Sequence, residues 1–307
     1  MLRYLLGRLV QLIPTFFGIY TAVFIMMRVL PGDPALFLAG FHDDQETLSN
    51  LRAQLKLDEP VTSQYVAFLT GALRGDLGKS YISKRPVTDM LAETLPQTIA
   101  LALAATAIAV CIGVPLGILS AMRKNSIWDS LSRLVALIGV SIPIFWLGLQ
   151  LQIIVGLQLN LLPISGVGFD KHLILPAISA SMGMLALLTR MTRSNLLEVL
   201  NQDYIRTARS KGLRARVVIL RHALSNVLLP VITVWGTSFA GLLSGTLLVE
   251  VIFSWPGMGR LLVQSISTRD YPMVQGIVIV FAVIYSLMNL LVDLSYPLID
   301  PRIRYRD

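Results

Sequence analysis

Charge is scarce in this 307-residue chain: 14% of residues are charged and 54% are apolar, where soluble domains carry about 25% charged residues. The few charges cluster in short stretches between charge-free runs too long for core helices. That excludes a soluble globular protein and points to a chain crossing a membrane several times. A single cysteine, Cys111, rules out an intrachain disulfide. The three histidines, His42, His172 and His222, stand in different segments without metal-ligand spacing, so neither a metal site nor a cofactor is expected. No HExxH-type motif or nucleophile–base pair stands out, which leaves a membrane enzyme unsupported. Gly78-Lys79-Ser80 copies the end of a phosphate-binding loop, but Leu73 stands where the loop needs its first glycine. The chain is therefore not expected to hydrolyse ATP itself. The middles of the apolar runs also lack ionisable groups, with Arg28, Glu250 and Asp293 near their ends. This argues against an ion-coupled secondary transporter, the rival reading, because such proteins place ionisable residues near the bilayer midplane. No filter-like repeat suggests a channel.

Six runs qualify as spanning helices: 9–30, 97–122, 134–159, 173–189, 227–249 and 273–292. The fold class expected is an all-α membrane protein. At about 1.5 Å per residue each run covers a hydrocarbon core of about 30 Å, the fourth only by continuing helically past Thr189. Pro115, Pro143, Pro176 and Pro230 fall within or near span ends, where bundle neighbours can satisfy the freed carbonyls. The first run is too long for a signal-peptide core and is read as an uncleaved span. With the N-terminus in the cytoplasm, the inside segments hold 16 of the 26 basic residues and only six of the 18 acidic ones. The positive-inside rule therefore places both termini in the cytoplasm of a multi-pass bacterial inner-membrane protein. It also accounts for the net charge of +8 without a nucleic-acid partner. The longest outer segment is 31–95, where the spacing around 61–73 predicts a short amphipathic helix on the membrane or against the bundle. A loop this long usually has a function, and an extracytoplasmic docking surface is the reading preferred here.

Residues 201–230, between the fourth and fifth spans, are the most informative. A helix over 204–211 puts Tyr204, Ile205 and Ala208 on one face and turns Arg206 and Arg209 away. A small residue at 208 permits close approach of another protein surface. Gly212 can supply the positive φ that ends this helix, and a second helix over roughly 214–224 leads into the fifth span. A basic loop also suits the positive-inside rule or anionic lipid headgroups, but neither requires a small-residue face followed by glycine.

YIRTARSKGL followed by RHALSNVLLPVIT resembles the EAA loop of binding-protein-dependent ABC importer permeases, in the dipeptide, oligopeptide and nickel branch. The motif's alanine falls on Ala208, its glycine on Gly212 and its later leucine on Leu224. Arg206 and Thr207 at the first two positions, and Ser225 in place of proline, follow the peptide branch. LPGDP at 30–34, LDEPVTSQYVAFLTGALRGDLGKS at 57–80, FSWPGMGRLLVQSISTRDYPMVQG at 253–276 and the ending LVDLSYPLIDPRIR are similar to the same branch.

The resemblance implies a type I ABC importer permease domain over 95–296. A first helix with its extracytoplasmic loop precedes it (1–94), and a cytoplasmic tail follows (297–307). It implies four kinds of partner: a homologous second permease, two ATP-binding cassette ATPase subunits, an extracytoplasmic solute-binding protein, and membrane lipid. The ATPase-coupling residues would be Tyr204, Arg206, Ala208, Arg209, Gly212 and Leu213. The solute would be a di- or oligopeptide, with nickel (as a chelate) or glutathione as alternatives. Polar residues inside the apolar runs are candidates for the translocation pathway: Gln150, Gln152, Ser181, Thr237, Ser238 and Ser244 foremost, then Gln158, Ser179 and Thr246. Most such groups only bond neighbouring helices or their own backbone.

Overall fold

The structure is a computed structural model describing residues 2–29, 32–39, 44–168 and 170–299, without the side chains at 2–9, 12, 216, 225, 228, 229, 244, 245 and 296–299. Leu30, Pro31, His42, the tail from Asp300 and the side chains of Ser225 and Ser244 thus lie outside the described residues.

Regular structure here is helical, apart from one isolated bridge between Lys79 and Pro86. The principal helices are α1 (Leu2–Val29), α2 (Val61–Leu73), α3 (Val87–Met122), α4 (Ile127–Ser141), α5 (Ile144–Leu151), α6 (Ile174–Val199), α7 (Asp203–Ser210), α8 (Leu224–Gly245), α9 (Met258–Ser267) and α10 (Tyr271–Ile299). They divide into two compact units: Met1–Thr98 with Pro256–Ser286, and Ile99–Trp255 with Leu287–Asp307.

In the first unit, α2 packs against α1 through aromatic rings. Tyr20 lies 4.8 Å from Tyr65 and 5.7 Å from Phe68 between centroids. The Tyr20 hydroxyl donates to the Tyr65 carbonyl at 2.6 Å. Arg28 lies over the Phe24 ring at 3.3 Å and donates to Gln64 Oε1 at 2.6 Å. The Asp270 carboxylate accepts from Ser80 Oγ (2.5 Å) and the Tyr81 amide (3.0 Å), tying the 74–86 turn to the junction of α9 and α10. Burial pushes the Tyr81 phenol up to about 12. Gly78-Lys79-Ser80 is thus part of a turn. The Gly78 amide is bonded to Asp76 Oδ1 and the Ser80 amide to the Arg85 carbonyl, and the next helix begins only at Val87.

In the second unit α6 is the central helix. An apolar 18-residue stretch of Lys171–Val199 is 61% buried, against 33% for one in Val87–Met122 and 22% for one in Tyr271–Ser295. Two neighbours approach it where they carry glycine. A Cβ at Gly117 of α3 would stand 2.7 Å from the Thr189 carbonyl oxygen, and one at Gly139 of α4 would stand 2.9 Å from that of Met182. Small residues let helix backbones close up where lipid tails remove the hydrophobic incentive to associate. α6 runs unbroken through Thr189 to Val199, giving the fourth apolar run the length it needs.

Among the described residues three stretches are long and apolar enough to cross a membrane: Val87–Met122, Lys171–Val199 and Tyr271–Ser295. Ile13–Val29 and Pro230–Leu243 are shorter apolar helices. The third run, expected as one spanning helix over 134–159, is instead two pieces bent by 104°, so four spans result if the pair counts as one. The cause is local. Proline disfavours the helical region for the residue before it, and Ile142 accordingly takes φ −82 and ψ 125. Helix restarts at Ile144 with Pro143 as its N-cap, then widens into a π-helix over Gln152–Gln158.

Candidate functional site

α7 is a helix of eight residues whose inward face belongs to the chain's own core. Ile205 is 0% and Ala208 7% exposed, in a cluster with Leu196, Val218, Ala223 and Val227. The small residue at 208 therefore serves close seating of α7 on its own unit, and its side chain is turned away from any external surface. The exposed face carries Arg206, Arg209 and Tyr204, whose hydroxyl accepts from Asn226 Nδ2 at 2.7 Å. Asp203, in the first turn, pairs with Arg206 at 3.6 Å. Gly212 ends the element at φ +75, and exposed Leu213 follows. The chain re-enters helix at Ala215, passes through a π-helical turn over Val218–Ala223 and continues as α8. A basic ledge is thus seated on apolar residues and followed in the chain by a long helix.

A cavity of about 670 Å³ opens at the α4–α5 break. Ile142, Pro143, Met182, Arg190, Ser238 and Gly241 line it, Arg190 being the one charged residue among the described residues that do so. A second cavity of about 460 Å³ also reaches Arg190, beside Arg133 and Arg193. One turn further along α6, Arg193 forks onto Asp129 at 2.7 and 3.0 Å. That carboxylate is fully buried and also accepts from Ser120 Oγ at 2.6 Å and the Asn125 amide at 3.0 Å. Paired bidentate bonds of this kind fix geometry as well as energy. Here they hold α3, α4 and α6 together.

Of the predicted pathway residues, Ser238 lines the larger cavity, and so does Ser179. Ser181 is fully buried and donates to the Ile178 carbonyl at 2.8 Å. Gln152 ties the π-helix to two carbonyls, those of Ile164 (2.7 Å) and Ile252 (3.0 Å). Thr237 is exposed and donates to the Thr233 carbonyl, while Gln150 is half-buried and Gln158 exposed. Thr246 donates to buried Glu250 at 3.0 Å. Sequence reasoning missed Arg190 and the Asp129–Arg193 pair, which entered it only in the count of inside charges. No group of metal-ligating residues assembles among the described residues.

Two family descriptions match the chain: "Binding-protein-dependent transport system inner membrane component" over residues 113–305, and its N-terminal counterpart over residues 1–102. The "Glutathione transport system permease protein GsiC" of Pectobacterium atrosepticum is 43% identical over 306 residues, covering 100% of both chains. That of Escherichia coli strain K12 is 40% identical over 306 residues, again covering 100% of both. Among solved structures, the inward-facing MetNI methionine ABC transporter is similar at a TM-score of 0.55 and 16% identity, covering 68% of this chain and 96% of that one. An amino acid ABC transporter with histidines gives 0.53 and 17%, covering 70% and 95%. At such identities the structural likeness speaks to fold alone.

Proposed function

Because the chain belongs to the binding-protein-dependent transport system inner membrane components, we propose that it is one permease half of an ATP-driven importer of short peptides, with glutathione the first solute to test. The observation that carries this reading is the end-to-end match, at 43% identity, to a glutathione transport system permease. The chain supplies no bond chemistry. It turns motion of separate ATPase subunits into alternating access.

In this reading six apolar runs span the membrane, the third of them bent, with both termini in the cytoplasm. Residues 95–296 form the permease domain, and 1–94 add a first span and an outer loop that receives the solute-binding protein. A homologous permease and two ATPases complete the assembly. The ATPases dock on the exposed ledge formed by Tyr204, Arg206, Arg209, Gly212 and Leu213, while Ala208 and Ile205 hold that ledge against the bundle. ATP binding draws the ledges of the two permeases together and rocks the bundles outward-open. Hydrolysis resets them. Solute passes the cavity at the α4–α5 break, whose size of about 670 Å³ suits a di- or tripeptide. Ser238 and Ser179 face it there, while Ser181 and Gln152 hold the surrounding helices.

The test is uptake of labelled glutathione, dipeptides, longer peptides and nickel by cells with the chain deleted and then restored. Restored glutathione and dipeptide uptake is expected. Restoration of nickel uptake alone would refute the peptide assignment.

A further inference from the structure

Arg190 stands apart from the other charges of the second unit. It lies on α6, one turn before Arg193, and is exposed to the larger cavity, the one charged residue among the described residues that line it. Among the described residues it has no hydrogen bond or ion pair, whereas neighbouring Arg193 and Arg133 both approach the Asp129 carboxylate, at 2.7 and 3.7 Å. Asp129 does not line either cavity that reaches Arg190, and its two oxygens are already held by Arg193, Ser120 and the Asn125 amide. Asp129 therefore leaves the charge of Arg190 uncompensated.

A guanidinium at the end of an apolar run, without an ion-pair partner and open to a mostly apolar cavity, keeps its donors free for an anion. Its surroundings set the ligand class. Ile142, Pro143, Met182, Leu187 and Gly241 give an apolar wall, and Ser179 and Ser238 add hydroxyl groups. A guanidinium fork in such a wall matches one planar, singly charged acceptor on an otherwise variable body, which describes the carboxylate of a short peptide. We propose that Arg190 binds a carboxylate of the transported solute, making the permease itself, and not only the solute-binding protein, select for peptides with a free carboxylate. The inference rests on the peptide-importer reading and adds a selective residue to it.

The experiment uses membrane vesicles containing the complete importer, supplied with its binding protein. Uptake of glutathione and of alanyl-alanine is compared with uptake of their C-terminal amides. The binding protein contributes the same factor with every permease variant, so a change in the acid-to-amide ratio belongs to this chain. Arg190→Gln is expected to lower that ratio about tenfold or more, the loss of a charged hydrogen-bond partner. Arg190→Lys is expected to keep part of the preference, since the charge remains and the fork is lost. An unmoved ratio in Arg190→Gln overturns the proposal, as does an equal loss of both forms, down to none. Wild-type vesicles that take up neither form of either peptide overturn the peptide reading itself, and the inference with it.

Discussion

Two regions of α6, one helical turn apart, treat the same side chain in opposite ways. At Arg193 the guanidinium is forked onto a fully buried carboxylate whose remaining lone pairs are filled from α3 and the α3–α4 turn. At Arg190 the guanidinium faces a cavity with no partner from the described residues. The first arrangement joins three helices and leaves nothing free to bind. The second leaves a strong donor set open in a cavity lined from α4, α5, α6 and α8. Saturation builds a joint, and an open fork is what the proposed carboxylate site requires. In an uncharged bundle both can be made from one residue type by changing which neighbour lies within reach.

The sharpest way to break the contrast is to empty the joint. Asp129→Leu strands Arg193 without its carboxylate, and removing one partner of a buried pair costs about 3–5 kcal/mol. The purified complex is expected to unfold at a markedly lower temperature in a thermal melt, or to fail to assemble. Adding Arg193→Met should recover much of the loss, since the stranded cation is removed. Equal melting of wild type and the single variant would mean that the joint bears no stability.

A smaller effect is expected where α7 sits on its own core. Ala208→Trp forces a large ring among Leu196, Val218 and Ala223, and overpacking costs about 1–3 kcal/mol. Gly212→Val places a β-branched residue at φ +75, a strain of about 1–3 kcal/mol. Both are expected to lower solute-stimulated ATP hydrolysis by the reconstituted complex more than they lower its melting temperature. Wild-type stimulation in both variants would make the ledge a merely charged loop.

The ledge and the cavity also differ in how far residues alone revealed them. Ile205, Ala208 and Gly212 are local neighbours, so helical periodicity and the glycine stop describe α7 closely. Periodicity could not say whether the small face meets a partner or the chain's own core, because both demand the same residues. The cavity is assembled from positions 142, 182, 190 and 238, far apart in sequence, and the Asp129–Arg193 joint closes over 64 residues. Pro143 signalled a kink, but the size of the bend depends on what α4 and α5 pack against. Polar residues in apolar helices were visible one by one, while their directions were not. Ser181 and Gln152 turned out to bond carbonyls, and Ser238 to line the cavity.

The gentlest test compares adjacent residues of α8. Ser238 lines the cavity, whereas Thr237 is exposed and donates to the Thr233 carbonyl one turn back. Ser238→Leu adds an apolar side chain within that space and removes a hydroxyl a solute could use, so peptide uptake is expected to fall several-fold while the complex still assembles. Thr237→Val keeps the shape and loses only a hydrogen bond to the helix's own backbone. A surface change of this kind stays within about 0.5 kcal/mol, and uptake should not move. Uptake that falls in Thr237→Val and not in Ser238→Leu would put the solute path on the neighbouring face of α8, away from Arg190, and would dissolve the contrast between joint and site.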